Sequence, residues 1–486
     1  MSRVIGRLVP DSAIYGLGGA ANQTVAILLV PIYARQLGPA GVGVAAVVNS
    51  TVALALMLVS LAIPQAFFRW FLSVAHDDRA RSEVLSTTMG LRVVSSLLGA
   101  IVVAIAVVPL TVLLYGSTEY VPVFLAIPVI VFFDSLNSIP LSYLRARRRA
   151  RSYSIISFTR AALGTVLILG FVVGSNLGVL GIVLGSGISA AVCAGIGLFV
   201  LRDADLRWGL NRDLARAMLA FSLPLVPAAA AGWALNLSDR YILQGLTDAD
   251  TVGVYALGYT GGMVVLAFVV QPFVLAWAAT SWEIAKEDDA ERQYARVLTA
   301  FTVVAAFVGL AISALATDVL RLLVGPAFAD SRLVVPFSAF AYVLYGVYSV
   351  VAVGLNIRSQ TRWVSLAMGI AAALSIGLNL LLIPLVGMLG AALATLVAYA
   401  VLAVTTAAFG QRYYPVPWDV TRVAGTMVAG MILAAAALLG PDLLLWRIAT
   451  IAVFPLVLIA TRIVSPDEIR AARRLIRRGG QDAPDS

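Results

Sequence analysis

Fourteen stretches of this chain are apolar enough, and about long enough, to cross a bilayer as helices, and no other feature constrains the fold as strongly. A hydrocarbon core of about 30 Å takes roughly 20 residues of α-helix, and within it the chain must satisfy its own backbone donors and acceptors. The stretches fall at about 11–34, 41–65, 86–110, 121–143, 153–174, 177–201, 217–238, 252–278, 297–317, 333–355, 363–384, 387–409, 423–440 and 443–463. None alternates with the period of two that a membrane barrel strand requires. Hydrophobic residues make up 61% of the chain and charged residues 12%, against about half and a quarter in soluble domains. The expected fold class is an all-α polytopic membrane protein. Its first stretch is read as a span, because it is too long for a cleaved signal and lacks a small-residue cleavage site.

Charge sets the expected orientation. With the N-terminus inside, the inner segments carry 27 of the 34 basic residues and the outer ones carry five: Arg35, Arg240, Arg321, Arg332 and Arg447. That asymmetry is a positive-inside signal and puts both termini in the cytoplasm, the chain lying in the cytoplasmic membrane. It accounts for the net charge of +9 without nucleic acid. The densest run, RARRRAR at 145–151, reads as a topology anchor before it reads as a headgroup site. The tail from Ser465 starts like a helix, with Ser465, Pro466 and Glu468 in capping positions. It then mixes arginines with Ile469, Leu475 and Ile476, as a helix lying on the inner leaflet does.

The chain also repeats itself. VPIYARQLGPAGVGVA (30–45) resembles the stretch around Asn236–Tyr259, and aligning them sets Gly43 on Gly253, 210 residues apart. Arg148 then falls on Arg358, Gly178 and Gly181 on Gly387 and Gly390, and Pro64 near Pro272. The expectation is two six-helix lobes, 1–201 and 217–410, in parallel pseudo-repeat. A cytoplasmic linker at 202–216 joins them, two further helices occupy 411–463, and a basic tail fills 464–486. Transporters built from repeats place substrate at the repeat interface.

The stretches PIYARQLGPAGVGV, FSLPLVPAAAAGWALNLSDRYIL, VGVYALGYTGG and VGMLGAALATLVAYA resemble the multidrug/oligosaccharidyl-lipid/polysaccharide exporter superfamily. Within it, the chain is most similar to the polysaccharide transport family of lipid-linked oligosaccharide flippases. The resemblance implies movement of a polyprenyl-diphosphate-linked glycan from the inner to the outer leaflet, for cell-surface polysaccharide. It implies membrane lipids as surroundings and a polysaccharide polymerase or glycosyltransferases as partners. Lipid II flippases and multidrug or cation antiporters share the plan and stay open as alternatives.

A charge at mid-membrane costs at least about 2.5–3.5 kcal/mol, so each one needs a reason. Arg92, Asp134 and Arg160 lie inside spans three, four and five. Each shares a helical stripe with small polar residues, Arg92 with Thr88 and Ser95, Asp134 with Asn137 and Ser138, Arg160 with Tyr153 and Ser157. Such stripes face a bundle interior or a water-filled cavity. Arg69 at the inner end of span two and Asn22 in span one belong nearby. Arginine suits a diphosphate because it binds phosphate oxygens in pairs and stays charged. Arg69, Arg92, Arg160 and Asn22 are therefore the candidate diphosphate site, against the alternative that Asp134 only ties an arginine down. Asp134 is the candidate for coupling to a proton or sodium gradient. Tyr255, Tyr259, Tyr342 and Tyr345 are candidate sugar contacts, with ordinary packing as the alternative. Asp239 and Arg240 close span seven and suggest an outer gate, since residues adjacent on a helix do not face one another.

Catalysis is not expected. The loops are too short for a soluble domain, His76 is the one histidine, Cys193 the one cysteine, and no nucleotide-binding GxxxxGK[ST] run occurs. No cofactor or metal is called for. A membrane glycan polymerase would need a large outer loop, which is missing, and a scaffold without transport remains the structural alternative.

Overall fold

The computed structural model describes the backbone of residues 2–204 and 209–463, and side chains in 29–202 and 209–463. Every regular element among these residues is a helix. The inner-leaflet helix expected after Ser465, the side chain of Asn22 and part of the 202–216 linker lie outside the described residues.

Twelve helices are long and apolar enough to cross a membrane, and Leu444–Ala460 is a shorter apolar one. The first helix, Ser2–Ser60, is broken at Gly38, whose φ of 67° is left-handed. Glycine tolerates that conformation, and Pro39 follows where a helix restarts most easily. With the two arms, 2–37 and 39–60, taken separately and Leu444–Ala460 included, helical segments occupy all fourteen expected positions. Several outlast their apolar stretch. Asp78–Tyr115 has 38 residues where 86–110 was read, because capping by Asp77, which accepts from the Ala80 amide at 2.6 Å, carries the helix out into water. Span seven, likewise, runs on to Leu246 rather than ending near 238.

The duplication recurs in the chain reversals. Left-handed residues occur at Gly116 and Gly325, at Arg148 and Ser359, and at Gly178 and Gly387, pairs separated by 209, 211 and 209 residues. The inner turn repeats bond for bond. Arg149 N donates to Leu144 O and Gln360 N to Leu355 O, both at 2.8 Å, each closing a helix end by reaching back five residues.

Two compact units form. The first holds the residues through Leu257 with Leu323–Ser331 and Ser365–Ala398; the second holds Gly258–Leu322, Arg332–Val364 and the residues from Tyr399 on. In the first, Ile63, Phe67, Phe71, Leu85, Met89, Ile139 and Tyr143 knit one end of spans two, three and four into an apolar core, with Phe67 and Phe71 stacked at 4.9 Å. Span two also crosses spans seven and eight. Trp233 Nε1 donates to Ser50 O and the Tyr241 hydroxyl to Thr51 Oγ1. Higher up, Gly43 and Gly253 meet so closely that a Cβ on either would lie 1.9 Å from a backbone oxygen, that of Ala249 or Pro39 respectively. These glycines are the repeat equivalents aligned from sequence, and only residues without a side chain let two backbones approach this far.

In the second unit, Phe273, Trp277, Tyr294 and Phe301 form an aromatic core, and the Tyr294 hydroxyl donates to Ser281 O. Span fourteen is tied to span nine by Arg447, which pairs with both Asp318 and Asp442, while Arg321 also holds Asp442. Arg447, read from sequence as an outer-loop charge, is instead buried in helix Leu444–Ala460. Of its carboxylate partners Asp442 lies five residues back and Asp318 comes from another helix, 129 residues away, so the second could not be read from local sequence.

Candidate functional site

The site begins with a broken helix. Leu61 and Ala62 take left-handed conformations, φ 44° and 51°, and the chain resumes a helix at Ile63 with Pro64 in its first turn. Proline has no amide hydrogen, so the turn before it keeps carbonyls that a continuous helix would have used. Arg92 fills that need. Buried at 3% exposure, it donates from Nη1 to Val59 O at 3.1 Å and from Nε to Ser135 O at 2.8 Å. Pro272, the counterpart of Pro64, meets a different solution. There the helix stays continuous through a wide turn at Leu266–Val270 in which Gln271 N reaches back to Leu266 O. The chain thus breaks at Leu61–Ala62 before one proline and stays helical before the other.

Around Arg92 lies a cavity of about 540 Å³, lined by Leu56, Met57 and Ser60 of span two, Pro64, Asp134, Asn137, Ser138 and Leu141 of span four, and Ser157 and Arg160 of span five. The charged residues read from sequence on spans three, four and five therefore meet at one space, with Asn137, Ser138 and Ser157 of their stripes, while Thr88, Ser95 and Tyr153 do not line it. Arg160 and Asp134 form a two-pronged pair across it, Nε to Oδ1 at 3.1 Å and Nη2 to Oδ2 at 3.0 Å. The remaining guanidinium nitrogen, Nη1, donates to Ser189 Oγ at 2.6 Å, and Ser189 donates onward to Gly185 O. About a quarter of each partner's side chain faces open space, 26% for Arg160 and 24% for Asp134. Arg92 has no carboxylate partner among the described residues. Among the described residues two guanidinium groups and one carboxylate line the cavity, a balance of one positive charge.

Ser189 was not a candidate from sequence. Its one local signal is a hydroxyl, beside that of Ser186, on a largely apolar span one turn after Gly185. The carbonyls of Val59 and Ser135 were equally hidden, because backbone acceptors have no residue signature.

The other candidates fall elsewhere. Arg69 is exposed at the inner end of span two, its guanidinium over Phe221 at 4.5 Å and Trp70 at 5.3 Å, and it does not line the cavity. Asp239 and Arg240 are not solvent-facing ends of a helix. Both are buried, and contrary to the rule for neighbouring residues they pair, Nη1 to Oδ1 at 2.7 Å. The long arginine side chain curls back toward Asn236 O and passes Asp239 on the way. Tyr255 completes this cluster. It is fully buried, its hydroxyl donates to Asp239 Oδ2, and Arg240 lies 5.6 Å over its ring. Tyr259 and Tyr342 are also buried and pack edge to face at 5.7 Å. Of the four tyrosines only Tyr345 is partly open, beside Tyr348 and Tyr399. Tyr255, Tyr259 and Tyr342 are thus closed off from open space in this conformation.

Comparison with known proteins adds a family and a fold. The profile of the family described as "Polysaccharide biosynthesis protein" matches residues 8–280. Among solved structures, the chain is similar to the lipid II flippase MurJ in an inward closed conformation, with a TM-score of 0.71 and 14% identity over 92% of this chain and 97% of that one. It is also similar to an inward-facing multidrug resistance MATE transporter, with a TM-score of 0.65 and 16% identity over 83% and 95%. A Vibrio cholerae MATE transporter gives a TM-score of 0.57 and 16% identity over 85% and 97%. No curated protein sequence matches.

Proposed function

We infer, from the fact that this chain belongs to the polysaccharide biosynthesis protein family, that it carries a polyprenyl-diphosphate-linked oligosaccharide from the inner to the outer leaflet. One observation carries the reading: Arg92 is a buried cation with no carboxylate partner among the described residues, lining a cavity inside the first unit. An uncompensated charge at membrane depth is expensive, and a diphosphate offers it the oxygens that guanidinium groups bind best. A cavity of about 540 Å³ lies in the range of ordinary ligand pockets. It suits a diphosphate and its first sugar, leaving the lipid tail in the bilayer.

The arginine distribution supports a cytoplasmic-membrane location with both termini inside. Loading at the inner leaflet then lets a negative inside potential assist export, by about 2.3 kcal/mol per charge per 100 mV. Asp134 remains the candidate for coupling to protons or sodium. Glycosyltransferases that build the cargo and a polymerase that receives it are the natural partners. Movement of lipid II is the second reading, supported by the fold likeness to MurJ. A cation antiporter fits less well, because two arginines to one aspartate repel a cationic drug.

The test is transport in proteoliposomes. A fluorescent polyprenyl-diphosphate oligosaccharide should cross the bilayer with the wild-type protein and not with Arg92→Ala/Arg160→Ala inserted at equal density. Equal crossing by both would remove the basis for the reading.

A further inference from the structure

Asp134 occupies the edge of Arg160 that a phosphate would use. Two parallel N–H···O bonds, at 3.1 and 3.0 Å, are the same fork that Arg offers to a phosphoryl group. The third side of the guanidinium is held by Ser189. The fork of Arg160 is therefore closed while Asp134 is in place, with three of its five N–H donors used, whereas Arg92 has given Nε and Nη1 to carbonyls and among the described residues its Nη2 has no bonded partner. Both arginines and Asp134 face the same cavity.

We propose that Asp134 is a resident competitor for the ligand: a diphosphate docks first on Arg92, gains the two-pronged fork of Arg160 only by displacing the Asp134 carboxylate, and is expelled when that carboxylate returns. This rests on the reading of the cavity as a diphosphate site and adds how the site lets its cargo go. A carrier must bind well enough to load and weakly enough to unload, and an internal anion meets both demands without a second gate. A single phosphoryl group is satisfied at Arg92 and leaves the Asp134–Arg160 pair intact. A diphosphate has a second phosphoryl group to offer the Arg160 fork and is the one that competes. The charges facing Asp134 are Arg160 from span five and Arg92 from span three, with Cys193 of span six the nearby thiol.

The experiment measures binding of farnesyl diphosphate and farnesyl monophosphate to the purified full chain in lipid nanodiscs, together with flipping in proteoliposomes. Asp134→Asn should tighten farnesyl diphosphate on the order of tenfold, the usual scale for coupling between competing ligands, leave the monophosphate unchanged and slow flipping. Asp134→Ser, a smaller replacement, should do the same, and unliganded melting together with monodisperse elution shows that either variant is folded. Inorganic pyrophosphate should displace the farnesyl diphosphate, which marks the headgroup as the bound part. Equal tightening of both farnesyl probes would mean simple relief of charge repulsion and would overturn the proposal. So would no tightening, or faster flipping. If Arg92→Ala and Arg160→Ala bind farnesyl diphosphate as well as wild type, the diphosphate reading itself fails. If both lose binding while Asp134→Asn gains none, only the competitor fails.

Discussion

Replacing Gly43 by alanine tests the backbone crossing of spans two and eight. The added Cβ would sit 1.9 Å from Ala249 O and 2.9 Å from Gly253 N. Carbon and carbonyl oxygen in close contact rest at about 3.3–3.6 Å, so the helices must part by roughly 1.4 Å. A carbonyl oxygen fixed in a helix cannot rotate aside as a side chain can. Gaps of about 0.5–1 Å already forfeit a quarter to a half of dispersion energy, and overpacking of this kind costs about 1–3 kcal/mol. Alanine's better helix propensity returns up to about 1 kcal/mol, leaving a net loss of about 0–2 kcal/mol. Gly369 is the control, because a Cβ there meets nothing within 4 Å. The assay is the unfolding midpoint in mixed micelles of SDS and a mild detergent. Gly43→Ala should unfold early and Gly369→Ala should match or exceed wild type. The double variant Gly43→Ala/Gly253→Ala should lose less than the sum of the singles, since one separation relieves both clashes. If Gly43→Ala proves as stable as Gly369→Ala, the close approach does not hold these helices together.

Further outcomes follow from the charged residues. Arg92→Lys replaces a fork by a single ammonium that cannot serve Val59 O and Ser135 O together, so it should lower stability by about 1–2 kcal/mol and reduce flipping, read by the micelle midpoint and the liposome assay. Arg447→Ala removes the partner shared by Asp318 and Asp442 and should cost about 1–3 kcal/mol; limited proteolysis should then cut between spans thirteen and fourteen before any other connection. Asp442, in that connection, has its pKa lowered by hydrogen bonds from Arg321 and Arg447. A lowered folded pKa gives stability that is complete above the ordinary carboxylate range and lost as pH falls through the lowered value. Pepsin cleavage at 440–443 should therefore rise below about pH 4, and Arg321→Ala should shift that onset upward.

The spans, the repeat and the three charges of the cavity were legible because each leaves a mark at helical spacing. Arg92, Asp134 and Arg160 stand out as ions in apolar runs, and their polar stripes point to a shared space. What stayed hidden depends on partners distant in sequence or without side chains. Nothing local ties Ser189 to Arg160, 29 residues away, or marks Val59 O as an acceptor. Asp239 and Arg240 were misjudged because a rule about Cβ directions ignores the reach of an arginine. Helix ends were underestimated because apolar patterning stops at the headgroups while backbone hydrogen bonding continues.

The wide turn at Leu266–Val270 stores one residue of slack. Each of its bonds spans five residues rather than four, so the helix accommodates an extra residue without breaking. Were that slack taken up into ordinary α-helix, the segment Gln271–Ile284 would rotate about its own axis by about 100° and shift along it by about 1.5 Å. Every side chain beyond the turn, Phe273 and Trp277 among them, would present a new face to its neighbours. Span two has no such reserve at the matching place, since its break at Leu61–Ala62 is pinned by an arginine. Of the two matching segments, one is pinned at its break and the other carries a spare residue.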